Sequence, residues 1–135
     1  MDTVLRDITC EELGILLHQL GINAERVKED LFSLEFAGGL KSHLITYGEP
    51  HLSSLQLRAG FTGFDRVEPR HLLSWNRRYR FSKAYLDNDG DPVLEGDLRL
   101  EGVTPEAIQV FLRDFGDQVN LFFAYLRMID AGLVE

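Results

Sequence analysis

The sequence predicts an α+β fold: an antiparallel five-stranded sheet with flanking helices, in the order α-β-β-β-α-β-β-α. Three observations carry this reading. Residues with helical periodicity are confined to three segments, near the start, the middle and the end of the chain. Between them lie alternating apolar and polar residues, broken by Gly38-Gly39, "YGEPH" and "DNDGD". Strands therefore come in hairpin runs rather than alternating one by one with helices, which favours an antiparallel sheet.

The first helix is signalled by a Thr9–Glu12 capping box, with Leu13, Leu16, Leu17 and Leu20 on one face before Gly21. A strand is expected near 27–37, where Phe32, Leu34 and Phe36 alternate with Ser33 and Glu35, and a second near 40–48. The third carries Leu55, Leu57, Ala59 and Phe61 on one face. Glu68-Pro69 opens a short helix, "PRHLLSWNRRY", with proline in its first turn. Strands near 79–87 and 92–101 follow, and Thr104-Pro105 starts a final helix that runs to about Ala131.

The 135 residues are read as one domain, 1–135, long enough to enclose a single core. No apolar run is long enough to span a bilayer, and Met1 to Arg6 lack the layout of a signal peptide. Cys10, the lone cysteine, has no partner for an internal disulfide, which points to a reducing cytoplasm. The net charge of −8 is unevenly placed. Residues 66–83 hold six cations (Arg66, Arg70, Arg77, Arg78, Arg80, Lys83) against Glu68, whereas 84–117 hold nine acids against Arg99 and Arg113. Such a balance repels the phosphate backbone at long range and attracts a basic protein partner.

The stretch "YLDNDGDPVLEGDL" raises the question of calcium, because Asp87, Asp89 and Asp91 alternate as in a calcium loop. The spacing answers against it. Counting from Asp87, glycine falls at the fourth position, proline at the sixth and Leu98 at the twelfth, where a bidentate glutamate belongs. Asp and Asn before Gly90 suit a tight hairpin instead. His18, His43, His51 and His71 show no metal-ligand spacing with one another or with Cys10. Phosphate-binding glycine loops and nucleophile elbows are missing from the sequence. No catalytic residue, metal or cofactor is therefore assigned. The mixed basic and aromatic run "NRRYRFSK" resembles a single-strand binder in composition. A structural use is simpler: Arg77 and Arg78 end a helix, and Arg80 or Lys83 can face Glu95, Asp97 or Glu101 across a hairpin.

The final helix carries more apolar surface than one face needs. Ile108, Phe111, Leu112, Phe115, Val119, Phe122, Leu126 and Ile129 form one stripe, and Leu121, Tyr125 and Met128 a second, about 130° round the helix. Two accounts stand open: a deep groove between the first helix and the sheet, or a protein–protein interface.

"SWNRRYRFSKAYLDNDGDPVLEGDLRL" and "GVTPEAIQVFLRDFGDQVNLFFAYL" together resemble the YbjN-like family of bacterial proteins. Trp75-Asn76, Arg80-Phe81, Leu86-Asp87, Asp89-Gly90-Asp91, Leu94 and Asp97 carry the likeness, which covers residues 70–126 and reaches the N-terminal half only through element order. The resemblance implies the fold of type III secretion chaperones and a sensory-transduction or stress-regulatory setting, with no catalytic residue to carry over. In that fold the middle helix commonly lies at a two-fold interface, which implies Leu72, Leu73 and above all Trp75 as dimer anchors. Leu121, Tyr125 and Met128 would extend that interface or form a separate client groove. The expectation is a non-enzymatic, homodimeric, cytoplasmic protein-binding module without affinity for membranes; the runner-up is a nucleic-acid-associated protein using the 66–83 cluster.

Overall fold

The computed structural model describes residues 3–135. Its elements are α1 (Cys10–Gln19), β1 (Ala24–Lys28), β2 (Leu31–Glu35), β3 (Lys41–Tyr47), β4 (Ser54–Gly60), α2 (Pro69–Arg78), β5 (Lys83–Leu86), β6 (Pro92–Arg99) and α3 (Pro105–Asp130). All strands pair antiparallel in one sheet of order β1-β2-β3-β4-β6-β5.

The class is the one expected, but the sheet has six strands rather than five. The strand anticipated over 27–37 is β2 with only the end of β1; most of β1 was not expected, and the two are joined by a turn at Glu29-Asp30. No glycine or proline marks that turn, and Asp30 alone is a weak local signal. Mostly distant groups hold it: the Asp30 carbonyl accepts from the Thr46 amide at 3.0 Å, and the Glu29 carbonyl accepts from the Cys10 thiol and from nearby Arg26. The strand expected over 79–87 is also shorter, beginning only at Lys83, because Phe81 takes a left-handed φ of 72°.

Register decides what the sheet buries. Phe32 faces Leu44, Leu44 faces Leu57 and Leu57 faces Gly96, so one side of the sheet is apolar across four strands. Against that side lie α1, through Leu13 and Leu17, and α3, through Ile108, Leu112, Phe115, Val119, Phe122, Leu126 and Ile129. Both threonine caps form as expected: Thr9 Oγ1 accepts from Glu12 N, and Thr104 Oγ1 from Ala107 N. Helix α3 approaches closely enough that a Cβ on Gly116 would stand 2.8 Å from the Phe36 ring. Helix α2 lies beside β5, where the Asn76 side chain accepts from Ala84 N (2.7 Å) and donates to Ala84 O (3.0 Å).

Candidate protein-binding surface

The aspartate loop is the β5–β6 hairpin turn. One Asp87 carboxylate oxygen accepts from the amides of Asp89 and Asp91, both at 2.9 Å, while Asp87 N donates to Asp91 O. The three aspartates can bring one carboxylate oxygen each within 4.8 Å of one another. Burial, then the neighbouring charges of Asp87, Asp89 and Asp65, push the Asp91 carboxyl above its ordinary value. Asp87 is thus explained by the turn it organises.

The histidines stand apart. His18, His43 and His51 are exposed, whereas His71 is buried and receives the Glu68 amide on Nδ1 at 3.0 Å. Burial, reinforced by Arg70, lowers the His71 pKa and keeps it neutral, which is what an acceptor Nδ1 requires. The basic segment is dispersed as well. Arg66 caps α3 through Asp130 O at 3.0 Å, Arg70 pairs with Glu68 at 3.0 Å, and the Arg80 guanidinium lies 5.0 Å from the Phe81 ring centroid. Lys83 approaches Glu95 at 3.5 Å and Asp97 at 3.8 Å.

Glu95 belongs to a network that the sequence reading treated only as a surface pairing. It is buried on the outer side of the sheet, 2.6 Å from Arg58 Nη2 and 2.7 Å from the Tyr85 hydroxyl. Burial alone pushes its carboxyl up; the bonds from Tyr85 and Arg58, with Lys83 nearby, overcome that and hold it below the usual value. Lys83 faces Glu95 across the β5–β6 hairpin as expected, whereas Arg58 could have been placed beside Glu95 only with the β4–β6 pairing in hand.

The six residues expected at interfaces separate by depth. Leu72 and Trp75 are core residues, each 2% exposed. Trp75 stacks on Tyr79 at 3.9 Å between centroids and packs edge-on against Phe122 at 5.0 Å. Within the single chain this packing turns Leu72 and Trp75 inward, and Leu73, 62% exposed, is the one of the three expected dimer anchors left in solvent. On α3, Tyr125 is drawn inward, its hydroxyl donating to His71 O at 2.9 Å. Leu121 (50% exposed) and Met128 (45%) remain open to solvent. Phe123, on the opposite flank, is covered by Phe61 and Phe64. The wide apolar arc of α3 is therefore partly a groove filler and partly a free surface.

One exposed aromatic was not anticipated. Phe81 is 82% exposed in a left-handed conformation that costs an ordinary side chain roughly 1–2 kcal/mol. Its flanks are held by Gln118 of α3, which donates to Arg80 O at 2.8 Å and bonds the Ser82 hydroxyl. Nothing in "RFSK" signals positive φ, since neither glycine nor asparagine is present.

With that geometry in place, the comparisons with known proteins are consistent. The family described as "Putative bacterial sensory transduction regulator" (YbjN) matches residues 9–128. The chain belongs to the YbjN family. No curated protein matches the sequence. Among solved structures, the ExsC–ExsE complex is similar with a TM-score of 0.66 at 21% identity, over 92% of this chain and 97% of that one. The Yersinia pestis type III secretion chaperone SycH, in complex with a stable fragment of YscM2, gives 0.57 at 16% identity, over 80% and 93%. The ExoT–SpcS complex from Pseudomonas aeruginosa gives 0.56 at 16%, over 78% and 88%. This YbjN chain thus has an α+β fold similar to type III secretion chaperones. No helix among the described residues is long and apolar enough to cross a membrane.

Proposed function

We propose that this YbjN protein is a non-enzymatic, dimeric protein-binding module that works in a regulatory or stress-response setting in the cytoplasm. The observation that carries the reading is the apolar surface left on helices whose opposite faces are already buried: Leu73 on α2, with Leu121 and Met128 on α3. Isolated exposed hydrophobics are ordinary, but here two helices of one layer keep large side chains in solvent after the core is filled. The fold supports the reading by analogy, because the similar structures are complexes with other proteins. The net charge of −8 favours a basic partner.

In this proposal Leu73 takes the dimer role, and Leu121 with Met128 the partner-binding role. Sedimentation at high micromolar concentration tests the first: the native chain runs as a dimer and Leu73→Asp as a monomer. A native monomer overturns the dimer. Affinity capture from the source cell tests the second: a stoichiometric protein is retained by the native chain and lost with Leu121→Asp, while circular dichroism stays unchanged. Salt-sensitive retention of nucleic acid, abolished by Arg77→Ala with Arg78→Ala and Arg80→Ala, would instead support the 66–83 cluster as the functional surface.

A further inference from the structure

Beside Phe81 the sheet has an open stretch of main chain. Leu100 N donates to Ser53 O and Phe61 N to Pro92 O, so in the β4–β6 register the even-numbered β6 residues turn their amides and carbonyls toward β4. The odd-numbered residues turn theirs the other way. Val93 and Glu95 meet Tyr85 and Lys83 of β5. The next rung would set Phe81 opposite Asp97, but Phe81 leaves the extended conformation and the ladder stops. Asp97 and Arg99 are left facing outward, with no main-chain partner on that side among the described residues. Farther along, the outer edge of β5 is closed by Asn76.

Directly under this open edge lies a groove of about 350 Å³ between β6 and the first half of α3. Leu98, Val110, Phe111 and Phe115 line it, and Phe81 forms one wall. Its charged lining residues, Asp97 and Asp114, are both carboxylates. Asp97 is engaged by Gln56 and Lys83, so Asp114, whose one polar partner among the described residues is its sequence neighbour Arg113, is the freer of the two.

We propose that the β6 edge at Asp97–Arg99, together with this groove, docks an extended segment of a partner protein, with alternate apolar side chains entering the groove and a lysine or arginine meeting Asp114. Outward-facing amides and carbonyls ask for an extended main chain, the period of two delivers every second side chain to the apolar floor, and the carboxylate lining selects a cation. Phe81 fits the same account. Its left-handed turn both opens the edge and builds the groove wall, and Gln118 holds it there. The inference rests on the protein-binding reading but names a surface separate from Leu73, Leu121 and Met128.

Selection of a phage-displayed random dodecapeptide library on the whole native protein, followed by amide hydrogen exchange with the best synthetic peptide, tests it. The expected winners alternate apolar residues around a lysine or arginine and slow exchange at Asp97 and Arg99 at least about tenfold, as new main-chain hydrogen bonds require. Asp114→Asn weakens the peptide several-fold, and Phe81→Ser or Val110→Asp abolishes it, whereas Leu121→Asp has no effect. Winners without alternation, or bound peptide that leaves the Asp97 and Arg99 amides unprotected, overturn the proposal. So does prior protection of those amides in a dimer, which would make a second copy the occupant. Loss of partner capture in Leu121→Asp alongside an unprotected edge would sink this inference and leave the protein-binding reading standing.

Discussion

The two ends of the sheet are finished in different ways. At one end β1 is exposed for most of its length and carries Glu25, Arg26 and Lys28, so charge guards an edge left open to solvent among the described residues. At the other end β5 has only four residues, and α2 covers it, with Asn76 supplying a donor and an acceptor to Ala84 as another strand would. The first solution is local and is written in the strand itself. The second depends on a helix staying in place, and therefore on what anchors that helix. Charge protects an edge without specifying a neighbour; a covering helix can leave a chosen part of an edge open, as it does at Asp97–Arg99.

The anchor is Trp75, and its removal should produce the largest effect. Trp75→Ala takes an indole from between Tyr79 and Phe122 and should cost about 3–5 kcal/mol in urea unfolding, as large-to-small core changes do. If the loss were under about 1 kcal/mol, α2 would not be held as argued. Next, Asn76→Ala should cost about 1–3 kcal/mol by stranding the buried Ala84 amide and carbonyl, while Glu25→Ala on β1 should stay within about 0.5 kcal/mol. Equal losses at the two sites would erase the distinction between the edges.

Acid should act on the covered edge in two stages. His71, at the start of α2, has a folded pKa below its ordinary 6.5, so the unfolded chain takes up the proton first. Stability is thus complete above pH 6.5 and declines as pH falls below it; in His71→Gln this first decline should vanish from the pH dependence of urea midpoints. Glu95, held below its ordinary 4.5, contributes above that value, and its contribution is lost as pH falls on through the folded pKa. The smallest effect is a gain. Phe81→Asn should raise stability by up to about 1 kcal/mol, since asparagine tolerates the left-handed region and little packing is lost from an exposed ring. A destabilised Phe81→Asn would mean that the ring contributes to the fold rather than to a binding surface.

Much of the architecture was legible because it is periodic or capped. The Thr9–Glu12 box, Thr104-Pro105 and the long stripe of α3 carry their instructions within a few residues, and α1 and α3 form accordingly. The Asp87 turn was equally readable, since a carboxylate that bonds the next amides acts over four residues. The Glu29-Asp30 turn was not: Thr46, Arg26 and Cys10 hold it, and two of these are far away in sequence. For the candidate surface, the apolar surplus on α3 was visible, but which members stay outside was not. Tyr125 and Trp75 are drawn inward because α2 packs on α3 there, a contact between residues about fifty positions apart.

By itself, the sequence determined the fold class, the three helices, most of the strands, the hairpin nature of the aspartate loop and the likeness to the YbjN family. These follow from spacings and caps whose physics is local. Only the tertiary structure decided that the sheet has six strands, that Trp75 and Leu72 belong to the core, and that Phe81 leaves the ladder to open β6. Each of these depends on which strands and helices become neighbours, because burial and main-chain pairing are properties of a surface assembled from distant segments, not of any segment alone.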